Sequence, residues 1–233
     1  IKKYRQAARC FLIEGEKNVL ELINSDFVLR HIVGSESFFS SHPDLEGHAK
    51  AVKTTAKVIS SISSFSTNDQ VVAVAEIKTY DLSDLDQSKT TLALDGIADP
   101  GNLGTIIRTL DWFGLDQLFL SSSSVDVYNP KTVSATMGSF TRIKVAQGDL
   151  PGFCRNFKGV KVGAQMTGDS PKRLSMRQEP ILLVMGSESH GISSPVLEML
   201  DYSVTIPRIG RAESLNVGIA TGILCHEMVS KNS

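Results

Sequence analysis

Three short stretches of the sequence bring together groups that can bind, orient or polarise a ligand. In the first, Asp95-Gly96-Ile97-Ala98-Asp99-Pro100-Gly101-Asn102-Leu103-Gly104, an amide side chain precedes a helical pattern that carries Arg108. Asn102 is expected to cap that helix, with Arg108 about one and a half turns further in and Gly104 leaving the backbone open beneath it. A capped helix with an ordinary surface arginine accounts for this stretch equally well. The second is Gly186-Ser187-Glu188-Ser189-His190-Gly191, in which two glycines allow a sharp turn and close approach to a ligand around one carboxylate. It lacks the Lys-Ser/Thr of a phosphate loop and the G-x-G-x-x-G dinucleotide fingerprint, and Ser189 does not sit in a G-x-S-x-G setting. Ser189 and His190 are adjacent on a tight turn and are expected to point apart, with His190 facing solvent or locally hydrogen-bonded. The third runs from Ile206 to Val217 and includes Arg208, Arg211, Glu213, Ser214, Leu215 and Asn216. Ser214 or Asn216 can cap the helix that follows, and Glu213 suits its positive end. Small residues at Gly218, Ala220 and Gly222 permit close packing against another backbone or a second subunit.

These stretches need a scaffold, and the pattern around them supplies one. From Thr91 onward, short apolar runs alternate with helical patterns. Strands are expected at 92–94, 117–120, 141–145, 160–166, 181–185 and 203–206, and helices at 103–113, 130–135, 150–156, 195–200 and 215–229. Nearly all-apolar strands separated by helices indicate an α/β domain with a parallel sheet covered on both faces. In such sheets ligands bind beyond the carboxyl ends of the strands, where all three stretches fall. Each stretch has a purely structural explanation, but three coincidences at the strand ends of one sheet are too many. Residues 1–80 read as a compact α+β module. It holds a basic opening turn with Lys2, Lys3, Arg5 and Arg9, the apolar run 10–13 and a helix from near Glu16. A strand-like 27–33, a helix after Pro43 and a β-rich 71–75 follow. Polar, acidic residues 81–90 read as a linker, which leaves 91–233 for the second domain.

The chain has 24 Lys+Arg and 25 Asp+Glu. Near-neutral charge argues against a protein that coats nucleic acid through bulk basicity but leaves room for local basic patches. One such patch is the interval 155–177, with Arg155, Lys158, Lys161, Lys172, Arg173 and Arg177 against a lone acid, Asp169. The apolar run 181–185 is far short of the ~20 residues that span a bilayer, and with no charged-then-apolar opening a signal segment is not expected. Cys10, Cys154 and Cys225 stand singly, without zinc-ligand spacing, so neither a disulfide scaffold nor a metal site is expected. A soluble cytoplasmic protein fits.

Asn102-x-Gly104-x3-Arg108, Gly186-x-Glu188-x2-Gly191 and Ser214-Leu215-Asn216-Val217 resemble, in order and spacing, the three motifs of the SpoU (TrmH) RNA 2'-O-ribose methyltransferases of the SPOUT superfamily. The match covers about residues 90–230. Residues 9–24, around Phe11-Leu12-Ile13-Glu14-Gly15, resemble more loosely the small L30e-like substrate-binding domain that many members carry in front. Residues 136–140 match only loosely the Ser-x-Gly segment common in relatives.

The resemblance implies a parallel sheet whose C-terminal segment forms a trefoil knot. It implies S-adenosylmethionine held in a bent pose against backbone at Gly186, Ile206 and Leu215. It also implies attack of a ribose 2'-oxygen on the sulfonium methyl. Arg108 takes the catalytic position, polarising the hydroxyl while holding an adjacent phosphate or acting as a deprotonated base. Asn102, Glu188, Ser214 and Asn216 orient Arg108 and the ribose. The family works as homodimers, and the 218–222 helix is a candidate contact. The RNA is expected to be ribosomal rather than transfer RNA, bound with a shallow salt dependence. The rivals are a transfer-RNA methyltransferase and a non-catalytic RNA-binding or ribosome-assembly factor on the same fold. Which nucleotide is modified and what the front domain recognises stay open.

Overall fold

The computed structural model describes residues 2–65 and 67–230. The chain forms two compact units, one of residues 1–78 with 128–141 and one of 79–127 with 142–233.

The front unit begins with α1 (Lys2–Ala8), β1 (Cys10–Glu14), α2 (Glu16–Ile23) and β2 (Leu29–Ser35), followed by α3 (Glu36–Ser41) and α4 (Pro43–Glu46). It continues with β3 (Ala51–Thr54), α5 (Ala56–Ile62) and β4 (Val71–Glu76). The sheet order is β1-β4-β2-β3, antiparallel except for the parallel β2/β3 pair. β4, apolar from Val71 to Ala75, pairs on both edges, and this central place explains its apolar run. Ser35 and Thr55 start α3 and α5 by accepting the N–H of Phe38 and Val58. The second strand lies two residues later than the sequence pattern suggested because Phe27 is drawn into an aromatic cluster. Its ring lies 5.8 Å from Phe11 and 5.6 Å from Phe140, and Tyr128 sits 4.5 Å from Phe11. Those last partners come from 128–141, which the pattern had assigned to the second domain.

The second unit holds β5 (Thr91–Asp95), α6 (Pro100–Trp112) and β6 (Gln117–Ser121), after which the chain visits the front unit through α7 (Pro130–Ala135). It then adds β7 (Lys144–Gly148), α8 (Leu150–Asn156), β8 (Val160–Asp169) and β9 (Ile181–Gly186). The last elements are α9 (Ser194–Leu197), β10 (Tyr202–Val204) and α10 (Val217–Val229). The expected strand at 141–145 starts only at Lys144, since 139–141 form a turn of 3-10 helix within the front unit. All six strands are parallel, in the order β10-β8-β9-β5-β6-β7. Alternation explains the continuous apolar runs: Leu92, Leu94, Leu183 and Met185 face the core beneath α6 and α10, whereas Ala93, Leu182 and Val184 face α8 and α9. The expected linker 81–90 is not free. Leu85 is buried, and the buried Gln117 amide accepts from Asp86 N–H at 2.9 Å and donates to Asp86 O at 2.8 Å, which fastens this segment to the second unit.

Candidate active site

The carboxyl-terminal parts of β8 and β9, the turn after β9 and the 204–217 segment enclose a cavity of about 600 Å³, all within the second unit. Apolar walls come from Met185, Ile192, Ile206 and Leu215, and the polar rim includes Ser187, Glu188 and Ser214. Gly186, Ile206 and Leu215 all face this space. A side chain at Gly186 would place its Cβ 2.1 Å from Gly191 C and 2.3 Å from Ile192 N, so only glycine lets the turn close on itself. Ser187 and Gly191 exchange two backbone hydrogen bonds, of 3.1 and 2.9 Å, and Gly191 supplies a φ of +67°.

The turn sets Glu188 at the meeting point of two helix starts. Its Oε1 accepts from Asn216 Nδ2 (3.0 Å), Asn102 Nδ2 (3.2 Å) and the Val217 N–H (3.2 Å). Asn216 Nδ2 also donates to Asn102 Oδ1 at 2.9 Å, which closes a triangle among residues from the three stretches. Negative charge at the first turn of α10 and beside the start of α6 is favourable against both helix dipoles. Glu188 supplies such a charge directly at the Val217 N–H. Asn216 is the cap of α10, accepting from Gly218 N (3.0 Å) and Ile219 N (3.4 Å).

Asn102 does not cap α6. Asp99 does, accepting the Asn102 N–H at 2.8 Å, and Pro100 occupies the first helical position. The cap lies earlier than expected because Asp99-Pro100 already meets both requirements, and this frees the Asn102 amide for Glu188. Arg108 is exposed on α6, has no hydrogen-bond or ion-pair partner among the described residues, and does not line the cavity. Ser214 lines the cavity and makes no side-chain hydrogen bond among the described residues. Ser189 Oγ and His190 Nδ1 lie 2.8 Å apart, against the expectation that they diverge, on an exposed turn.

Sequence reasoning missed the wall formed by residues 164–167, which lie in the later part of β8. It also missed the Asp95 side chain, which accepts the Ser193 N–H at 2.8 Å across the sheet. In the basic interval, Arg173 pairs with Asp169 and lies over the Tyr202 ring, and Lys161 pairs with Asp201, whereas Arg155, Lys158 and Lys172 are exposed without ion-pair partners among the described residues. Among those residues no group of three or more His, Cys, Asp or Glu could hold a metal ion, and no helix is long and apolar enough to cross a membrane.

A parallel α/β sheet with an apolar cavity at its strand ends, braced by an Asn-Glu-Asn contact, defines a ligand-binding α/β protein. The SpoU rRNA Methylase family pattern matches residues 89–226, and the MRM3-like substrate binding domain pattern matches residues 1–73. The 23S rRNA (guanosine(2553)-2'-O)-methyltransferase RlmP of Bacillus subtilis is 34% identical over 97% of this chain and 91% of its own length. An AdoMet-bound rRNA methyltransferase from Sinorhizobium meliloti superposes with a TM-score of 0.87 and 32% identity, covering 98% of this chain and 90% of the other. AviRb from Streptomyces viridochromogenes, solved with AdoMet, gives 0.85 and 26%, with 98% and 93% covered. The chain belongs to the SpoU methylase family.

Proposed function

We propose that this protein transfers a methyl group from S-adenosylmethionine to a ribose 2'-hydroxyl of ribosomal RNA. The observation that carries the reading is the Asn102–Glu188–Asn216 triangle at the mouth of an apolar cavity. The similar proteins named above, one of them a 23S rRNA 2'-O-methyltransferase and two solved with AdoMet, support the cofactor and the substrate class.

The cavity fits the cofactor. An adenosyl group held by backbone N–H and C=O groups between apolar side chains needs few charged partners, and the absence of a side chain at Gly186 lets the turn close so that its backbone lines the cavity. When bound, S-adenosylmethionine supplies an electrophilic methyl on a sulfonium centre. Gly186, Ile206 and Leu215 would hold it, and Ser214 would contact the ribose or the cofactor's polar end. A ribose hydroxyl is a weak nucleophile at neutral pH and has to be aligned and relieved of its proton. A guanidinium is not a base there, so Arg108 polarises the hydroxyl and holds the neighbouring phosphate, and the proton leaves to solvent. Asn102, Glu188 and Asn216 fix the start of α6 and thereby the position of Arg108. The free guanidinium of Arg108 and the exposed Arg155, Lys158 and Lys172 are available for phosphates.

The same reading makes the protein a cytoplasmic homodimer. Gly218 and Gly222 are used within the subunit, against Thr105 and Thr109 of α6. The dimer surface is therefore the exposed Ile219 (58%) and Ile223 (37%) of α10 with Trp112 (85%) of α6. Strand β9 inserts between β8 and β5 while β10 adds outside β8, and the return of the chain through 205–216 to α10 is the segment we take to be knotted. The front unit, 1–78 with 128–141, is the RNA-recognition part, and the second unit, 79–127 with 142–233, is the methyltransferase part.

Arg108→Ala tests the assignment. Methyl transfer should fall by about 10³-fold or more, while S-adenosylmethionine affinity by calorimetry stays within about twofold, since Arg108 lies outside the cavity. Retained turnover would refute the role.

A further inference from the structure

The turn that closes the cavity is held in two places. Glu188 ties its tip, as described above, and Asp95 ties its far end. Asp95 is the last residue of β5 and pairs in register with Gly186 across the β5/β9 ladder. Its side chain is buried, and Oδ2 accepts the backbone N–H of Ser193 at 2.8 Å. Ser193 is the N-cap residue just before α9, with a φ of −66° and no capping bond from its own hydroxyl. One residue therefore meets both ends of the turn: its backbone pairs with Gly186 at the start, and its carboxylate holds Ser193 at the end. Between them lie Gly191 and Ile192, whose atoms face the cavity. A charge-assisted N–H···O bond in a buried setting is short and strong, which suits a group that fixes backbone to a fraction of an ångström.

We propose that Asp95 is a positioning residue for the cofactor. Acting through the Ser193 N–H, it holds the Gly191-Ile192 backbone against the adenosyl group without touching the reacting atoms. This rests on the reading of the cavity as the S-adenosylmethionine site.

The test compares full-length wild type with Asp95→Ala, Asp95→Asn and Ser193→Pro. The proline deletes the donor at a φ that proline already adopts. Titration calorimetry with S-adenosylmethionine is read beside kcat and KM on ribosomal RNA from cells lacking the gene. Asp95→Ala and Ser193→Pro should weaken cofactor binding roughly ten- to hundredfold and raise its KM equally, with kcat within about threefold of wild type. Asp95→Asn, whose amide oxygen still accepts, should restore affinity to within about threefold. A merely structural role would instead lower the active fraction and kcat together, with KM unchanged. Cofactor binding within twofold of wild type in Asp95→Ala or Ser193→Pro would overturn the proposal, as would an Asp95→Asn protein as weak as Asp95→Ala. If Asp95→Ala does not fold, Ser193→Pro decides alone. A wild-type protein that bound no S-adenosylmethionine would overturn the cofactor reading and this proposal with it.

Discussion

In the second unit every residue of β5 and β6 is buried, whereas β3 of the front unit leaves Val52 half-exposed and Lys53 paired with Glu36 (2.6 Å) and Glu46 (2.9 Å) at the surface. A sheet covered on both faces offers its ends as the places where side chains can meet a ligand, and the Asn102, Glu188 and Asn216 side chains meet there. The front sheet spends its polar groups differently. Its buried Glu14 accepts from Ser64 N–H at 2.8 Å and from Ser63, stapling the 63–65 segment to β1, and Asn18 Nδ2 donates back to Glu14 O. One unit is organised around a cavity and the other around its own loops. Chemistry and recognition should accordingly separate on mutation.

Phe11→Ala should strike the front unit hardest. It removes a buried ring that packs on Phe27, Tyr128 and Phe140, at a cost of about 3–5 kcal/mol seen in denaturant unfolding. Cofactor affinity should stay at the wild-type value; parallel loss of both would break the separation. Gly186→Ala should do the converse. Its Cβ collides with backbone, so the turn has to shift, at a cost of about 3 kcal/mol, and S-adenosylmethionine binding should drop below detection while the front unit keeps its circular dichroism and protease resistance. Smaller is the effect of Glu188→Ala, which leaves the amides of Asn102 and Asn216 and the Val217 N–H without their shared acceptor. It should reduce kcat/KM about ten- to hundredfold, and Glu188→Gln should recover part of that because an amide oxygen still accepts.

The smallest effect at neutral pH concerns the two buried thiols of the second unit. Burial, with the charge of Asp95 adding to it, pushes Cys154 up to about 11, and burial pushes Cys225 up to about 12, from an ordinary value of 9.0. Above pH 9 the unfolded chain releases these protons while the folded protein keeps them. Stability is therefore flat below pH 9 and falls from there towards pH 11–12, by up to about 1.4 kcal/mol per pH unit for each thiol. A thiol reagent at pH 8 should label Cys10, which is partly exposed, and leave the other two unmodified until the protein unfolds.

The parallel sheet was legible because a strand buried on both faces has to be largely apolar, as residues 92–94 of β5 and 181–185 of β9 are. The motifs were legible because glycine, asparagine and carboxylate at strand ends have few other uses. Capping was less so. Asn102 and Asp99 are both good caps by type, and only the placement of Glu188 decides which amide is needed elsewhere. The path of 128–141 into the front unit could not be read, since aromatic partners such as Phe11 and Phe140 are joined by packing rather than by periodicity. The same holds for Asp95: a single carboxylate at a strand end carries no sign of a donor found only after the chain has crossed the sheet.

The central claim is a ribose methyl transfer to ribosomal RNA, and its most direct test is a product assay. Purified protein, S-adenosylmethionine carrying a labelled methyl group and ribosomal RNA from cells lacking the gene would be incubated, and the label located by nucleoside mass spectrometry. The account predicts label in a 2'-O-methylated nucleoside at a single position, absent with Arg108→Ala. Label on a base, or cofactor binding with no transfer to any ribosomal RNA, would contradict it.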